Sequence, residues 1–525
     1  LHECPWDRLA ELRECMPNVL LQMLLRASNA VGYTNYPDNV VRYFVKQSAE
    51  AGIDLFRVFD SLNWVENMRV AMDAVLETGM LCEASICYTG DLTDPNRPKY
   101  DLKYYVDLAH ELKAAGAHIL GIKDMAGLLK PAAAKKLIST LKEEVGMPIH
   151  FHTHDTSGAA AATVLAAVDE GVDAVDAAMD AFSGTTSQPC LGSLVAALRG
   201  TERDPGLDAK NIREISFYWE AVRTQYRAFE SDLRSGASEV YLHEMPGGQF
   251  TNLKEQARSL GLESRWHEVA QTYADVNQMF GDIVKVTPSS KVVGDMALSM
   301  VSSGLTRDDV EDPNREVAFP ESVVGFFAGD LGQPPGGFPK ALQTKVLKGK
   351  DAMDKRPGAY LEPVDLEAKR KEVEELIGHE VNDFELASYL MYPKVFVDFQ
   401  KALDTYGPTS VLPTPIYFYG LEAGDEALVD LAKGKTLVIQ LVGQSKPNEK
   451  GMVRVFFELN GQPRSVSVPD RSMASEIVVR PKAEAGNPLH VGAPMPGVVS
   501  TLAVKPGQEV TAGDVLLSIE AMKME

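Results

Sequence analysis

Residues 148–155, Pro-Ile-His-Phe-His-Thr-His-Asp, decide the fold. Histidines alternate here with Ile149, Phe151 and Thr153, a pattern typical of a β-strand because successive side chains point to opposite faces. The run lies between two segments of helical periodicity, residues 131–145 and 158–170. A strand between two helices predicts the βα units of a parallel sheet.

The same alternation extends along the first 200 residues. Strand-like runs recur at residues 20–25, 53–59, 82–88, 117–122, 148–154 and 172–179, and helical segments lie between them at 39–51, 65–78, 102–115, 131–145 and 158–170. No glycine-rich dinucleotide turn follows the first run, which favours a (β/α)8 TIM barrel over a doubly wound sheet. Because such a barrel has eight strands, we expect its first two strands to precede Leu1.

Composition limits the class of protein. A chain of 525 residues with 45% hydrophobic content is expected to hold several domains. Its net charge of −22 repels nucleic acid and anionic lipid, and no apolar run is long enough to span a bilayer. Five cysteines without a Cys-x-x-Cys pair indicate a reducing compartment. We therefore expect a cytoplasmic protein, or a mitochondrial one if eukaryotic, whose partners are small molecules or proteins.

Two histidines predict a metal site. His152 and His154 lie two residues apart at the carboxyl end of a barrel strand, so they share a face where TIM barrels carry their chemistry. Neutral imidazoles suit zinc, manganese or cobalt, and Asp155 is expected to orient one ring. The alternative is that both histidines only form hydrogen bonds at the barrel rim.

Lys123 ends the preceding predicted strand. Such a lysine ordinarily pairs with a substrate carboxylate or forms a salt bridge. Buried beside a divalent cation, its ammonium would instead lose a proton and take up carbon dioxide. The resulting carbamate would be an anionic oxygen ligand.

A lysine between two methionines ends the sequence, in Glu520-Ala521-Met522-Lys523-Met524-Glu525. Alone, such a short string is more often ordinary surface sequence than a modification site. With the strand-like run 498–504 and the turn Lys505-Pro506-Gly507 upstream, it resembles the first half of a biotinyl carrier domain, a flattened β-barrel. The resemblance implies covalent biotin on Lys523, attached by a biotin protein ligase.

Longer motifs carry a family resemblance across essentially the whole chain. They are residues 24–33, 56–60, 123–127, 152–158, 245–252 and 286–291, followed by the biotinyl lysine. In this order they resemble the carboxyltransferase part of the pyruvate carboxylase family, bacterial forms above all.

The resemblance implies a role for each matching residue. The family's metal, zinc or manganese, would be held by His152, His154 and carboxylated Lys123, with a fourth aspartate ligand that this sequence lacks. Arg26 and Tyr33 fall on pyruvate-binding positions, while the family's other arginine and its glutamine belong to the absent first strand. Three further matches lie after the barrel: Thr287, which would pass a proton between pyruvate and biotin, and Ser290 and Lys291, near the biotin pocket. Without the resemblance, Thr287 is equally a helix cap before Pro288.

Four domains are implied: a barrel at 1–204, a helical funnel domain at 205–415, a connecting allosteric region with linker at 416–486, and half of a biotinyl domain at 487–525. Periodicity predicts helices at 212–233, 253–260, 266–280 and 290–303. A hairpin turn is predicted at Asn460-Gly461. Residues 483–488 are small and turn-forming, as suits a mobile linker.

The implied activity is a ligase reaction that serves anaplerosis and gluconeogenesis. This part would transfer a carboxyl group from carboxybiotin to pyruvate enolate, which gives oxaloacetate, while an upstream half uses ATP and Mg. A homo-oligomer, a tetramer by family, is implied as well. The alternatives are the α-subunit of oxaloacetate decarboxylase or a transcarboxylase subunit, and, in a different class, a carrier protein whose barrel has lost activity. We expect the chain alone to be inactive.

Overall fold

The computed structural model describes residues 2–449, 451–470, 483, 490–492, 498–505, 507–511 and 514–520. The chain divides into two compact units. The smaller unit comprises Leu1–Arg8 and Pro393–Pro494, and the larger comprises Leu9–Tyr392 and Met495–Glu525.

The larger unit is built on a six-stranded parallel sheet. Its strands are β1 Gln22–Leu25, β2 Leu55–Phe59, β3 Leu81–Cys87, β4 Ile119–Asp124, β5 Ile149–Thr153 and β6 Ala174–Val175. They are hydrogen-bonded in chain order, from β1 to β6. Strands that are neighbours in sequence and in space form the wall of a TIM-type barrel. The predicted α/β class with parallel βα units is therefore confirmed.

Helices connect these strands as expected. Helix α1 spans Pro5–Cys15, and the crossover helices are α2 Asp38–Glu50, α3 Val65–Thr78, α4 Leu102–Ala114, α5 Pro131–Glu144 and α6 Ala160–Asp169. Each predicted crossover helix ends within two residues of the observed one. The agreement follows from their apolar faces, such as Val41, Phe44 and Val45 of α2, which are buried.

The last strand is shorter than predicted. The run 172–179 was expected to be a strand, yet β6 has only two residues. After the Asp176 amide, which donates to Phe151 O at 3.0 Å, the backbone leaves β5. Ala178 then donates its N–H to Pro189 O at 3.0 Å. The apolar pattern continues because this stretch pairs with a loop instead of the sheet.

The inner face of the sheet carries charge. Arg57 is 7% exposed, and its Nε lies 2.5 Å from Glu83 Oε1. The other oxygen of Glu83 lies 2.9 Å from His150 Nδ1. Gly121 on β4 makes room for this group, since a Cβ there would be 2.1 Å from Ser85 Oγ and 2.7 Å from Glu83 Oε1. The interior is therefore a paired ionic network, as buried charges require.

A helical region follows the barrel strands. Its helices are α7 Leu191–Leu198, α8 Ala209–Gln225, α9 Val240–His243, α10 Gly247–Ser259, α11 Trp266–Met279, α12 Ser289–Ser303, α13 Arg307–Glu311, α14 Glu321–Ala328, α15 Lys340–Leu347, α16 Leu366–Ile377 and α17 Asp383–Met391. Phe280, Phe326 and Phe327 pack together at its centre. The prediction for 212–233 was too long, because a 3-10 turn at Arg227–Phe229 follows the end of α8. The prediction for 253–260 began too late, since α10 includes both glycines after Pro246.

The smaller unit contains a helical pair and an antiparallel sheet. Helices α18 Pro393–Tyr406 and α19 Thr414–Tyr419 precede strands β7 Glu426–Ala432, β8 Lys435–Gln444, β9 Met452–Leu459 and β10 Gln462–Pro469. The strand order is β10-β9-β8-β7. Asn460 and Gly461 both have positive φ between β9 and β10, which confirms the predicted turn.

Two further strands belong to the described part of residues 487–525. Strand β11, Val498–Leu502, pairs antiparallel with β12, Leu517–Glu520. Lys523, the predicted biotin site, lies outside the described residues. None of the described helices is long and apolar enough to cross a membrane.

Candidate active site and metal centre

The two predicted histidine ligands converge at the carboxyl end of β5. Their Nε2 atoms lie 3.1 Å apart, and the two rings are nearly perpendicular at 78°. His152 Nδ1 lies 2.7 Å from Asp176 Oδ2, and His154 Nδ1 lies 2.6 Å from the carbonyl oxygen of Thr186. Because each Nδ1 faces an acceptor, each ring carries its proton there and presents the Nε2 lone pair to the same point.

Both imidazoles favour the neutral form. Burial, followed by the neighbouring charge of His152, lowers the pKa of His154 to about 3. Burial also lowers the pKa of His152, against the raising effect of its hydrogen bond to Asp176. Neutral imidazole is the state that binds a metal ion.

Lys123 lies beside this pair. It is the second-to-last residue of β4 and lies in register with His152 of β5, so the two side chains share a face of the sheet. Lys123 is 2% exposed, and its Nζ lies 4.5 Å from the centroid of the Phe59 ring. Burial lowers the pKa of the Lys123 ammonium to about 8, and the positive charges of Arg57 and Arg26 act in the same direction. An amine that loses its proton this easily is nucleophilic near neutral pH.

Asp155 does not orient a histidine ring. Its Oδ1 accepts from the Ala160 amide at 3.0 Å, and its own amide donates to Ser187 O at 2.7 Å. The carboxylate therefore satisfies a free N–H at the start of α6. The expectation for Asp155 was wrong, because its carboxylate binds the start of α6, and among the described residues no hydrogen bond joins it to either histidine.

Asp176 takes that role, and sequence reasoning missed it. Besides His152, its carboxylate contacts His150 Nε2 at 2.8 Å and Arg57 Nη1 at 2.7 Å. Although burial opposes it, hydrogen bonds from His150 and His152 and the charge of Arg57 hold the pKa of Asp176 far below its usual range. The usable signal was an acidic residue directly after β6, next to the histidine strand in the sheet.

Two glycines bring loops against the histidines. Gly127 has φ +70°, and a Cβ there would lie 2.3 Å from His154 O. At Gly247 a Cβ would lie 2.9 Å from His154 Nδ1, and the Gly247 amide donates to Met125 O at 2.9 Å. Only glycine fits at Gly127, because both the conformation and the space exclude a side chain. The motifs around 123–127 and 245–252 therefore meet at His154.

Arg26 and Tyr33 lie in the loop after β1. The Arg26 guanidinium carbon is 5.7 Å from the Tyr33 ring centroid, and Nη1 donates to Val31 O at 2.7 Å. Within the described residues, the buried Arg26 Nε has no hydrogen-bond partner. Tyr33 is 45% exposed. Arg26 therefore keeps a free donor, and its charge acts on Lys123.

Thr287 lies in the turn before α12 and does not cap that helix. The N-cap is Pro288, and no side chain makes a cap hydrogen bond there. Ser289 anchors the turn, because its hydroxyl oxygen lies 2.8 Å from Val284 O and 3.2 Å from Ser61 O, within reach of its single proton. Since Ser61 follows β2, the turn that carries Thr287 lies over the carboxyl end of the sheet.

Ser290 and Lys291 differ in whether their polar groups already have a partner among the described residues. The Ser290 hydroxyl is buried and has no hydrogen-bond partner among the described residues. Lys291 Nζ is 2.7 Å from Asp295 Oδ2, so an ion pair already neutralises its charge. In the described part of the chain, no hydrogen bond joins Thr287, Ser290 or Lys291 to the histidine pair. The structure thus assembles Lys123, His152 and His154 directly.

Three family models match successive parts of the chain, in the order of the strand region, the helical region and the C-terminal segment. Residues 63–218 match the HMGL-like family, residues 240–440 the conserved carboxylase domain, and residues 489–525 the biotin-requiring enzyme family. The chain is 53% identical to the pyruvate carboxylase of Bacillus subtilis and 49% identical to the mitochondrial enzyme of Homo sapiens. Both alignments cover 100% of this chain, and they cover 46% and 45% of the relatives.

A solved structure is similar over most of the chain. It is the carboxyl transferase domain of Rhizobium etli pyruvate carboxylase with pyruvate, at a TM-score of 0.88 and 71% identity. The match covers 90% of this chain and 79% of that one. A barrel, a carboxylase helical region and a biotin-requiring segment in this order define a biotin-dependent carboxylase. Because the chain is 71% identical to that solved domain and covers 79% of it, the chain belongs to the pyruvate carboxylase family. It spans about half the length of the curated relatives it matches.

Proposed function

We propose that the chain performs the carboxyl-transfer half of the biotin-dependent carboxylation of pyruvate to oxaloacetate. The observation that carries this proposal is the convergence of His152, His154 and buried Lys123 at the carboxyl end of the sheet. It is supported by 71% identity to a carboxyl transferase domain solved with pyruvate. A decarboxylase or transcarboxylase subunit is less well supported, because the similar relatives are pyruvate carboxylases.

The donor set fits a divalent metal, zinc or manganese. Two nitrogens bound to tetrahedral zinc at about 2.0–2.1 Å lie about 3.3 Å apart, and the histidine Nε2 atoms are 3.1 Å apart. Among the described residues, no group of three or more histidine, cysteine or acidic side chains is placed to hold a metal. The proposed third donor is carboxylated Lys123, which supplies the anionic oxygen. When bound, the metal would stabilise negative charge near the substrate.

The chain's own side chains would hold pyruvate and move one proton. Arg26 would bind the substrate carboxylate with its planar, permanently charged fork, using the Nε that is otherwise unpaired. Tyr33 flanks this guanidinium. The Thr287 hydroxyl would accept a proton from the pyruvate methyl and release one to the biotin ring, since its high pKa permits only a matched relay. Ser290 and Lys291 would contact biotin.

Biotin would be attached to Lys523 by a biotin protein ligase and would supply the carboxyl group. We also propose the domain division at 204, 415 and 486 and an ATP- and Mg-dependent half in the complete protein. We further propose that the protein forms a homotetramer. Its location would be the cytoplasm, or the mitochondrial matrix in a eukaryote. The basis for each is the family, whose members include bacterial and mitochondrial enzymes.

Substitution of Thr287 tests the function. In the complete biotinylated protein, Thr287→Ala should lower oxaloacetate formation roughly 10²- to 10⁴-fold, the usual contribution of a positioned proton-transfer group. Thr344→Ala is the control, because Thr344 is exposed on α15 and its hydroxyl donates to Lys340 O within the same helix. Near-normal turnover by Thr287→Ala would reject the assigned relay.

A further inference from the structure

Four charged side chains form a cluster between the loop that follows β3 and the helical region: Arg97, Glu244, Asp282 and Lys285. Lys285 Nζ lies 3.0 Å from Glu244 Oε2, and Glu244 and Lys285 are 7% and 5% exposed. Arg97 pairs with Glu244 Oε1 and lies 3.4 Å from Asp282 Oδ2. Two cations and two carboxylates thus balance each other, which buried charges require. None of the four is among the residues that the proposed reaction uses.

The cluster joins the turn that carries Thr287 to the end of β3. Lys285 precedes Thr287 by two residues, and its Nζ donates to Thr89 Oγ1 at 3.3 Å and Ile283 O at 3.2 Å. Lys99 Nζ donates to Gly281 O at 2.6 Å. The bonds from Lys285 to Thr89 and from Lys99 to Gly281 tie the segment before Thr287 to the loop that follows β3, and the bond to Ile283 O holds Lys285 within its own segment.

Glu244 joins the same cluster to the histidine pair. It ends α9 with φ +56°, in the left-handed region that favours glycine. Three residues later, Gly247 packs against His154 Nδ1 and donates to Met125 O. A residue other than glycine stays in this unfavourable conformation only when its surroundings fix it. Its carboxylate is fixed by Arg97 and Lys285.

We propose that Glu244 is a positioning residue for carboxyl transfer. Its ion pair with Lys285 fixes the segment that carries the Thr287 hydroxyl. The three residues that follow Glu244 lead to Gly247, which packs against His154. Glu244 therefore sets the distance between the Thr287 hydroxyl and His154. The inference rests on the proposed function, because it assigns Glu244 a part in that reaction. Neither Glu244 nor Lys285 is assigned a contact with substrate.

The test uses the complete biotinylated protein with Glu244→Gln, which keeps the shape and removes the charge. We expect kcat to fall roughly 10- to 100-fold, as a misplaced reacting group does, while the KM for pyruvate changes less than twofold. Glu244→Asp, which keeps the charge on a shorter side chain, should recover part of the loss. The matched control is Glu268→Gln, which breaks an exposed ion pair with Arg265 on α11. Thermal unfolding is measured for each variant to confirm that it is folded at the assay temperature.

A double substitution separates positioning from general damage. In a Thr287→Ala background, Glu244→Gln should lower the residual rate less than twofold, because the hydroxyl it positions is gone. The proposal is overturned if Glu244→Gln lowers kcat by the same factor with and without Thr287, or if it raises KM and leaves kcat unchanged. A Glu244→Asp protein that is folded and as slow as Glu244→Gln overturns it as well. If the unsubstituted protein makes no oxaloacetate from pyruvate, the proposed function itself fails. If the unsubstituted protein is active and Glu244→Gln is equally active, only the positioning role fails.

Discussion

Replacement of Asp176 by asparagine should weaken metal binding without unfolding the barrel. The carboxylate oxygen lies 2.7 Å from His152 Nδ1 and the same distance from Arg57 Nη1. Both groups share this oxygen, and His150 Nε2 lies 2.8 Å from the other carboxylate oxygen. An amide of the same size leaves one oxygen for all three groups and places its NH2 against at least one of them. Loss of the group that orients a metal-binding histidine typically costs 10- to 100-fold in metal affinity, or about 1.4–2.8 kcal/mol.

The assay is metal content after dialysis against a chelator, followed by back-titration of the complete protein with zinc or manganese. Asp155→Asn is the matched control, since among the described residues its carboxylate accepts a hydrogen bond from the Ala160 amide at the start of α6 and none from either histidine. We expect Asp155→Asn to keep the original affinity. The reasoning is refuted if Asp155→Asn loses affinity and Asp176→Asn keeps it, because the ring would then be oriented by the residue that the structure places elsewhere.

The remaining predictions concern loops, charge and modification. Gly127→Ala should destabilise the protein and lower its metal content, because the new Cβ would lie 2.3 Å from His154 O; unchanged thermal unfolding and metal content would contradict this. The pKa of Glu244 is lowered to about 2 although burial opposes it, with Lys285 the main cause. The contribution of Glu244 to stability is therefore present above the unfolded pKa of about 4.3 and is lost as pH falls toward 2. The free energy of unfolding of Glu244→Gln should therefore depend less steeply on pH between about 4.3 and 2 than that of the unsubstituted protein. Lys523→Arg should abolish avidin recognition in a blot of the complete protein, and retained labelling would place biotin elsewhere.

Sequence periodicity predicted the parts of the fold that repeat. Helix α3 was predicted with its observed ends, because its buried face and the glycine that follows are both visible in the sequence. The His152 and His154 pair followed from strand alternation alone. Asp176 was missed because its contacts come from β2 and β5, which are far away in sequence. The ion pair of Lys291 with Asp295, one helical turn away, was not predicted, because an i,i+4 spacing permits such a pair without requiring it.

The pairing of β4 with β5 places Lys123 opposite His152 through backbone hydrogen bonds. A one-residue insertion in either strand would turn every later side chain to the opposite face. A substitution in either strand keeps this register, whereas a deletion or insertion before Lys123 or His152 within its strand would move the lysine and the imidazoles to opposite faces. Length changes in this family should therefore be confined to the loops between these two strands and their helices.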